Sequence, residues 1–439
     1  MSALLRPVRA LLGTVALMLL GNGLINTLLS LRGASEGFST AVLGVVMSGY
    51  FFGFIGGTWV SGRLIRRMGH IRTFTFCAAV CASAALLHVL FINPWAWFAL
   101  RLLYGLAFIT VMTVIESWLN SSAAAHVRGR VFALYMAVNL GMLALAQQVL
   151  RLSTPESFTL FALSAIFICW AMLPMSMTRK RQPELPTRPR SSLVALLGFA
   201  PLAVASSLMS GLAMGAFWTL TPAYAWQIGF NTGDIALLMS LCIIGGALLQ
   251  IPIGRFSDKR DRARVMTAVA LGAAVLAALM PFASLLPATF ERGALLALFF
   301  LWGGLSFSIY PLAVAQLIDQ LHPEEIVAGS ADMLVMQGAG SAIAPLLAGV
   351  LMTVLGPQAL PFYIASVLAL LALYSLYRRR RVSTLVVGET AHFEPMSQTS
   401  PQVFDMFHDH IQPDLFADPD FYDAQERGRI REQVKAPDR

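Results

Sequence analysis

The chain has 439 residues, 57% of them hydrophobic and only 12% charged, with a net charge of +8 and a mean hydropathy of +0.69. A soluble domain is about one quarter charged, so this length does not mean two or three soluble domains. With 34 Gly, 22 Pro and 4 Cys, the chain is not collagen-like, disordered throughout or a disulfide-stapled secreted scaffold.

A membrane-crossing helix needs about 20 mostly apolar residues. Twelve runs qualify: 10–31, 38–62, 73–93, 95–119, 131–150, 157–178, 198–226, 235–254, 265–287, 293–318, 328–355 and 358–377. The first follows Arg6 and Arg9, as a secretory signal would. It is too long for a signal core, and Arg32 stands where small cleavage-site residues belong, so it is read as a retained span. The last two share an uncharged stretch, 333–377, split at the helix-breaking pair Gly356-Pro357. Cys77, Cys81, Cys169 and Cys242 all lie inside these runs without a Cys-x-x-Cys pair, which predicts apolar packing rather than zinc or redox chemistry.

The basic excess would point to nucleic acid if it were clustered. It is instead spread over alternate connections. With the N-terminus inside, the inner segments hold 22 Lys and Arg, and the outer ones hold Arg32, Arg151 and Arg292. Such a bias predicts that both termini are cytoplasmic and removes nucleic acid as a partner. Residues 179–197 are basic and Pro-rich at their start and form the predicted linker between an N-terminal half, 1–178, and a C-terminal half, 198–377. Residues 378–439 form a cytoplasmic tail. From 382 onward it holds 11 acidic and 5 basic residues, which predicts a largely disordered acidic segment with a short helix near 419–434 and a cytoplasmic protein partner. His408 and His410, with Asp405, Asp409 and Asp414, are read as solvated tail side chains rather than a metal site.

The halves repeat. The stretch GRLIRRMGHIR from Gly62 matches GRFSDKRDRAR from Gly254 at an offset of 192. YGLAFITVMTVIESWLN from Tyr104 matches GGLSFSIYPLAVAQLID from Gly303 at an offset of 199. Same-sense repeats of six spans mark one large transporter class. By these residues the chain resembles the major facilitator superfamily over residues 1 to about 380. That family's loop motif, Gly-x-x-x-Asp-Arg-x-Gly-Arg-Arg, is met in the C-terminal half by Gly254, Asp258, Lys259, Arg260, Arg262 and Arg264, with Asp261 in the second Gly place. In the N-terminal half Gly62, Arg67 and Gly69 fit, but Arg66 stands where Asp is usual. Arg101-x-x-x-Gly105 resembles the family motif tied to proton coupling. The antiporter Gly-Pro motif is absent from Ala133 to Leu150, and a relic stands in span eleven at Gly340, Ala344, Pro345, Ala348 and Gly349.

The resemblance implies an all-α integral membrane protein with twelve transmembrane helices in two pseudo-symmetric six-helix halves. It implies a monomeric, multi-pass secondary transporter of the bacterial inner membrane, which moves a small organic solute by alternating access. Proton coupling is expected, with efflux favoured over uptake. It further implies that loop-motif charges of one half meet helix starts of the other. Asp258 is expected at the start of span five, with His126, Arg128 and Arg130. Arg66 is expected at the start of span eleven, with Glu324, Glu325 and Asp332, its charge sign exchanged.

Polar residues deep in apolar runs are the candidates for chemistry. Arg101 is read as an anion or proton-coupling site, the alternative being an arginine snorkelling to the outer surface. Glu116 lies roughly 22 Å further along an ideal helix; it either handles protons or substrate, or bonds a neighbouring helix. Asn22 and Asn26, one turn apart in span one, serve a cavity or interhelical bonds. Asn139, Gln147, Gln250, Tyr310 and Gln337 are weaker candidates by the same argument. Trp218 and Tyr224 are predicted interface anchors. Gly53, Gly56, Gly57, Gly245 and Gly246 predict close helix packing. No strand pattern, nucleotide loop or paired catalytic groups are found, so no enzyme, no cofactor and no direct ATP drive are expected. The second function class is a membrane sensor signalling through the tail.

Overall fold

A computed structural model describes residues 8–122, 128–176, 196–198, 200–321, 326–381 and 393. Among them, twelve helices are long and apolar enough to cross a membrane. In chain order they are α1 Arg9–Ser35, α2 Thr40–Met68, α3 His70–Leu90, α4 Pro94–Ser122, α5 Arg128–Val149 and α6 Phe158–Ser176. The second half continues with α7 Pro201–Gln227, α8 Thr232–Ser257, α9 Arg262–Leu279, α10 Ala288–Ile318, α11 Ile326–Leu355 and α12 Ala359–Arg381. Short 3₁₀ segments, Leu150–Leu152 and Met280–Leu285, extend α5 and α9. Every backbone polar group inside a bilayer needs an internal partner, and uninterrupted helices supply one for nearly all of them.

The twelve predicted runs coincide with these helices. The split at Gly356-Pro357 holds: α11 stops at Leu355, and Gly356 takes φ +86°, a conformation that side-chain-bearing residues rarely adopt. One boundary differs in a way that matters. Gly62, Arg66 and Arg67, expected in a loop, lie on the final turns of α2. The connection to α3 is the single residue Gly69, at φ +79°. In the second half the equivalent turn is longer. Asp258 ends α8, and the Asp261 carboxylate caps α9 by accepting the Ala263 N–H at 3.0 Å, a cap typically contributing about 1 kcal/mol.

The helices pack through small residues. A Cβ added at Gly53 would lie 1.9 Å from the Leu102 carbonyl oxygen, and one at Gly105 would lie 2.0 Å from that of Tyr50. So α2 and α4 touch backbone to backbone. The pair α8 and α10 does the same, with Gly245 against the Phe300 carbonyl and Gly303 against that of Cys242. These four contacts relate the halves by 192 for α2 to α8 and by 198 for α4 to α10, one residue less than the sequence alignment of the second pair. The relic motif of α11 is used in packing too: Gly340 meets the Leu208 carbonyl of α7, and Gly349 meets the Thr40 carbonyl of α2. Cys77, Cys81 and Cys242 are buried as packing residues, while Cys169 is exposed on the outer face of α6.

The halves are stitched together near one end. The Thr40 hydroxyl donates to the Gly349 carbonyl at 3.0 Å, and the Ala41 N–H donates to the Thr353 hydroxyl at 2.9 Å. Gln148 Nε2 donates to Ser240 Oγ at 2.6 Å and to the Ala236 carbonyl at 3.2 Å, and Ser240 Oγ donates on to the Ala144 carbonyl. These bonds tie α2 to α11 and α5 to α8 at the end that carries residues 36–39 and 150–157.

Candidate functional site: a cavity between the two halves

Below that stitched end, the central helices part around a cavity. It offers about 110 Å³ to the centres of water-sized molecules, where about 10–15 Å³ admits one water. Its walls come from α1, α2, α4 and α5 of the first half and from α7, α10 and α11 of the second. Phe51, Phe54, Phe108, Trp218 and Phe307 make it largely apolar and aromatic, the usual character of a small-molecule site with a few placed polar groups.

Among the described residues, Arg101 is the only charged one that lines the cavity. It is 1% exposed, so the snorkelling alternative does not describe it. Its guanidinium carbon sits 4.6 Å from the centroid of the Tyr50 ring and 5.8 Å from that of Tyr104, both within cation–π reach. The backbone contact at Gly105 explains this placement. With no side chain there, α4 closes onto the Tyr50 carbonyl, and Arg101, one turn earlier, is laid over the Tyr50 ring. Arg101 Nε and Nη1 are buried and have no hydrogen-bond partner.

The other polar wall groups come from both halves. Asn26 Nδ2 donates to Asn22 Oδ1 at 3.3 Å, leaving Asn26 Oδ1 without a donor. From the second half, the Tyr310 hydroxyl, the Ser210 and Ser306 hydroxyls and Gln337 Oε1 are buried without partners. An orphaned buried polar atom costs roughly 1–3 kcal/mol, and these atoms belong to residues that line one cavity.

Of the sequence candidates, Arg101, Asn22, Asn26, Asn139, Tyr310 and Gln337 are brought together here. Glu116 is not among the lining residues. It is fully buried and accepts a hydrogen bond from the Tyr135 hydroxyl of α5, the interhelical alternative of its two readings. Gln147 bonds the Thr27 hydroxyl at 2.7 Å, and Gln250 donates to the Phe307 carbonyl at 3.0 Å, so both hold helices together. Trp218 and Tyr224 correct the expectation of interface anchors. Trp218 lines the cavity and packs edge-on against Phe307, and Tyr224 is buried with its hydroxyl on Gln358. Tyr50, Tyr104, Ser210 and Ser306 were not singled out by the sequence. Tyr50 could have been, since it is a polar aromatic within an apolar run, as Tyr310 is.

The gating candidates divide. Arg66, Arg67 and Arg130 are exposed. Arg66 lies back along its own helix, its Nη1 3.5 Å from where a Cβ of Gly62 would be. Arg128 is partly buried. Asp332 is partly buried, with its Oδ2 atom unpartnered. Glu324, Glu325 and His126 lie outside the described residues, as do Asp405, His408, Asp409, His410 and Asp414 of the tail. Arg260 stacks on Phe256 at 4.7 Å. Asp258 belongs to a network within its own half: Arg262 Nη2 approaches it at 3.4 Å, and Arg262 Nε meets Asp319 Oδ2 at 2.6 Å. It also accepts the backbone N–H of Phe393 at 2.9 Å. Phe393 is 8% exposed, and its ring occupies the space a side chain at Gly254 would need. One tail residue is therefore seated directly on the loop motif. Among the described residues, no group of three His, Cys, Asp or Glu could hold a metal ion.

Comparison with known proteins places this architecture. The family model of the Major Facilitator Superfamily matches residues 11–333 and 204–404. An MFS-type transporter YcaD of Escherichia fergusonii, itself uncharacterised, is 29% identical over 388 residues, covering 88% of this chain and 99% of that one. YcaD of Escherichia coli O139:H28 is also 29% identical, covering 84% and 94%. Among solved structures, the nucleoside transporter NupG superposes with a TM-score of 0.69 at 16% identity, covering 86% of this chain and all of that one. A D-xylose–proton symporter reaches 0.65 at 14% identity, covering 88% and 98%.

Proposed function

The chain belongs to the Major Facilitator Superfamily, and from that membership we propose that it moves a small organic solute across the bacterial inner membrane by alternating access, coupled to protons. Secondary transport and a multi-pass inner-membrane location follow from the family and the relatives. The members are transporters rather than enzymes. The observation that carries the finer reading is the cavity shared by both halves, polar on both walls and lying below the stitched end. The 22-to-3 distribution of basic residues supports an outward position for that stitched end, and with it a conformation that faces inward or is occluded. Breaking the Thr40, Thr353, Gln148 and Ser240 bonds would open the opposite side as the halves rock.

Proton coupling is supported by the symporter named among the structural neighbours and by the resemblance of Arg101-x-x-x-Gly105. The sequence resemblance favours export, whereas that symporter speaks for uptake. Flux into and out of proteoliposomes, with an imposed pH gradient of either sign, decides between them. Solute movement that is unchanged on collapsing the gradient would sink the coupling.

The second reading, a sensor signalling through the tail, is favoured by Phe393 seated on Asp258 and Gly254. It requires that solute binding alter the tail while no solute crosses. Net flux in the same proteoliposomes rules it out.

A further inference from the structure

We propose that the cavity selects a singly charged organic anion, a carboxylate or sulfonate on an apolar body, with Arg101 as its counter-charge. The assignment deepens the transport reading and rests on it for the passage of the cargo, though not for its binding.

The argument begins with an uncompensated charge. A cation far from water is costly unless paired and hydrogen-bonded. Arg101 is 1% exposed, and among the described residues no carboxylate lies within ion-pair distance of it. Among the described residues, no Asp, Glu, Lys or His joins it in the cavity wall, so the described wall carries one positive charge. Its neighbours are the π-faces of Tyr50 and Tyr104. These stabilise the guanidinium but accept none of its N–H bonds. Nε and Nη1 are left over. A planar guanidinium offers two forks to the paired oxygens of a carboxylate or sulfonate, Nε with Nη2 and Nη1 with Nη2, and each fork includes one of these unpaired nitrogens; arginine is suited to this geometry and lysine is not.

One charge on the wall calls for one charge on the guest. A doubly charged guest would leave a net negative charge buried, and a neutral one would leave the positive charge. The rest of the guest is set by the opposite wall. Trp218 and Phe307 present ring surface, and the Tyr310, Ser210 and Ser306 hydroxyls and Gln337 Oε1 supply a few uncharged contacts. A body part aromatic or aliphatic, with one or two hydroxyl or amide groups, uses both. The two structural neighbours compared above are a nucleoside transporter and a D-xylose–proton symporter, so this charge preference is not carried over from them.

The test compares charged and neutral guests of the same shape. The full chain, purified in detergent, is titrated at constant ionic strength and pH with acetate, phenylacetate and phenylmethanesulfonate. Acetamide, phenylacetamide and phenylmethanesulfonamide serve as neutral partners. Binding is read from thermal stabilisation and from protection of an Asn26→Cys cavity thiol against maleimide. The expected result is saturable stabilisation by the anions, tighter for phenylacetate than for acetate, and about tenfold or more weaker for each neutral partner. Arg101→Gln should lose the anion preference, and Arg101→Lys should keep part of it. The charged-versus-neutral comparison on the unaltered chain needs no variant, so a poorly folding Arg101→Gln does not disable the test. Equal binding of the two series overturns the proposal, as does failure of every anion to bind, or a preference that survives in Arg101→Gln. If a neutral solute is then accumulated in proteoliposomes, the transport reading stands without the anion assignment. If anions bind as expected but nothing crosses, the reverse holds.

Discussion

Between α2 and α4 the backbones meet at Gly53 and Gly105; between α8 and α10 they meet at Gly245 and Gly303. The two crossings are built alike, but what they hold is not. Shifting by 198 sets Phe299 in the place of Arg101 and Trp302 in that of Tyr104; shifting by 192 sets Cys242 in the place of Tyr50. Both Phe299 and Trp302 are buried and pack ring against ring. So one crossing carries a cation clasped by tyrosines, and its counterpart carries a dry aromatic core. The repeat supplies the scaffold twice and the charge once. The charge sits in one half, while the other half keeps the same backbone packing without it.

That contrast can be attacked directly. The largest effect is expected from Phe299→Arg, which places a charge in the crossing that lacks tyrosines. It should destabilise by about 2.5–3.5 kcal/mol, the usual cost of an arginine at the centre of a span, read as a lowered melting temperature in detergent. The converse change, Arg101→Met, should not lower the melting temperature, since it removes an unpaired charge. Equal losses for both would mean that Arg101 is a structural residue.

Next come Gly105→Ala and Gly303→Ala. Each forces a methyl group onto a backbone carbonyl, and each should cost about 1–3 kcal/mol. Only Gly105→Ala should also weaken binding of phenylacetate, because only there does the contact position a ligand-facing side chain. If Gly303→Ala weakens it as much, the two crossings are functionally coupled, and the contrast is wrong.

A smaller effect is expected across the halves. Gln148→Leu removes the bonds to Ser240 and Ala236, worth about 0.5–1.5 kcal/mol each. It should shift the balance toward opening at that end, read as faster maleimide labelling of a cysteine placed at Thr40. The smallest effect on the folded core should come from the tail. Removal of residues 396–439, which keeps Phe393 in its seat on Gly254 and Asp258, should change global stability by no more than about 0.5 kcal/mol, and should leave transport per folded molecule intact. Phe393→Ala should instead be visible in limited proteolysis, as faster cleavage between Arg381 and the end of the chain.

The spans were legible because a bilayer demands long uncharged runs, and a Gly-Pro pair in an uncharged stretch is a clear stop. The polar lining was legible in part for the same reason: Asn22, Arg101, Tyr310 and Gln337 stand out against apolar neighbours. Depth was harder to read. A Trp in the outer third of α7 suggests an interface anchor, although the nine residues between Trp218 and the helix end are about 14 Å of ideal helix. However, α7 packs against other helices on most of its surface, and this position faces the cavity. Glu116 has the same sequence signature as Arg101, a lone charge in a long run. Only packing tells that one faces the cavity and the other faces Tyr135. The seat of Phe393 was hidden for a different reason. An acidic, Pro-containing stretch has too little apolar surface to build a core, and composition says nothing of a single ring borrowed by a core elsewhere.

The clasped charge has an electrical consequence. In the proposed cycle, water would reach Arg101 from one side of the membrane when the halves tilt one way and from the other side when they tilt back. The guanidinium need hardly move for the membrane field to be redistributed around it. A full elementary charge carried across the whole field is worth about 2.3 kcal/mol per 100 mV. Empty, the carrier presents its positive charge to that field at each reorientation. Loaded with a monoanion, the site is neutral and the field has nothing to grip. Voltage would therefore set the pace of the empty return and leave the loaded stroke alone, making the resting potential of the cell a governor on how often the cavity is offered to each side.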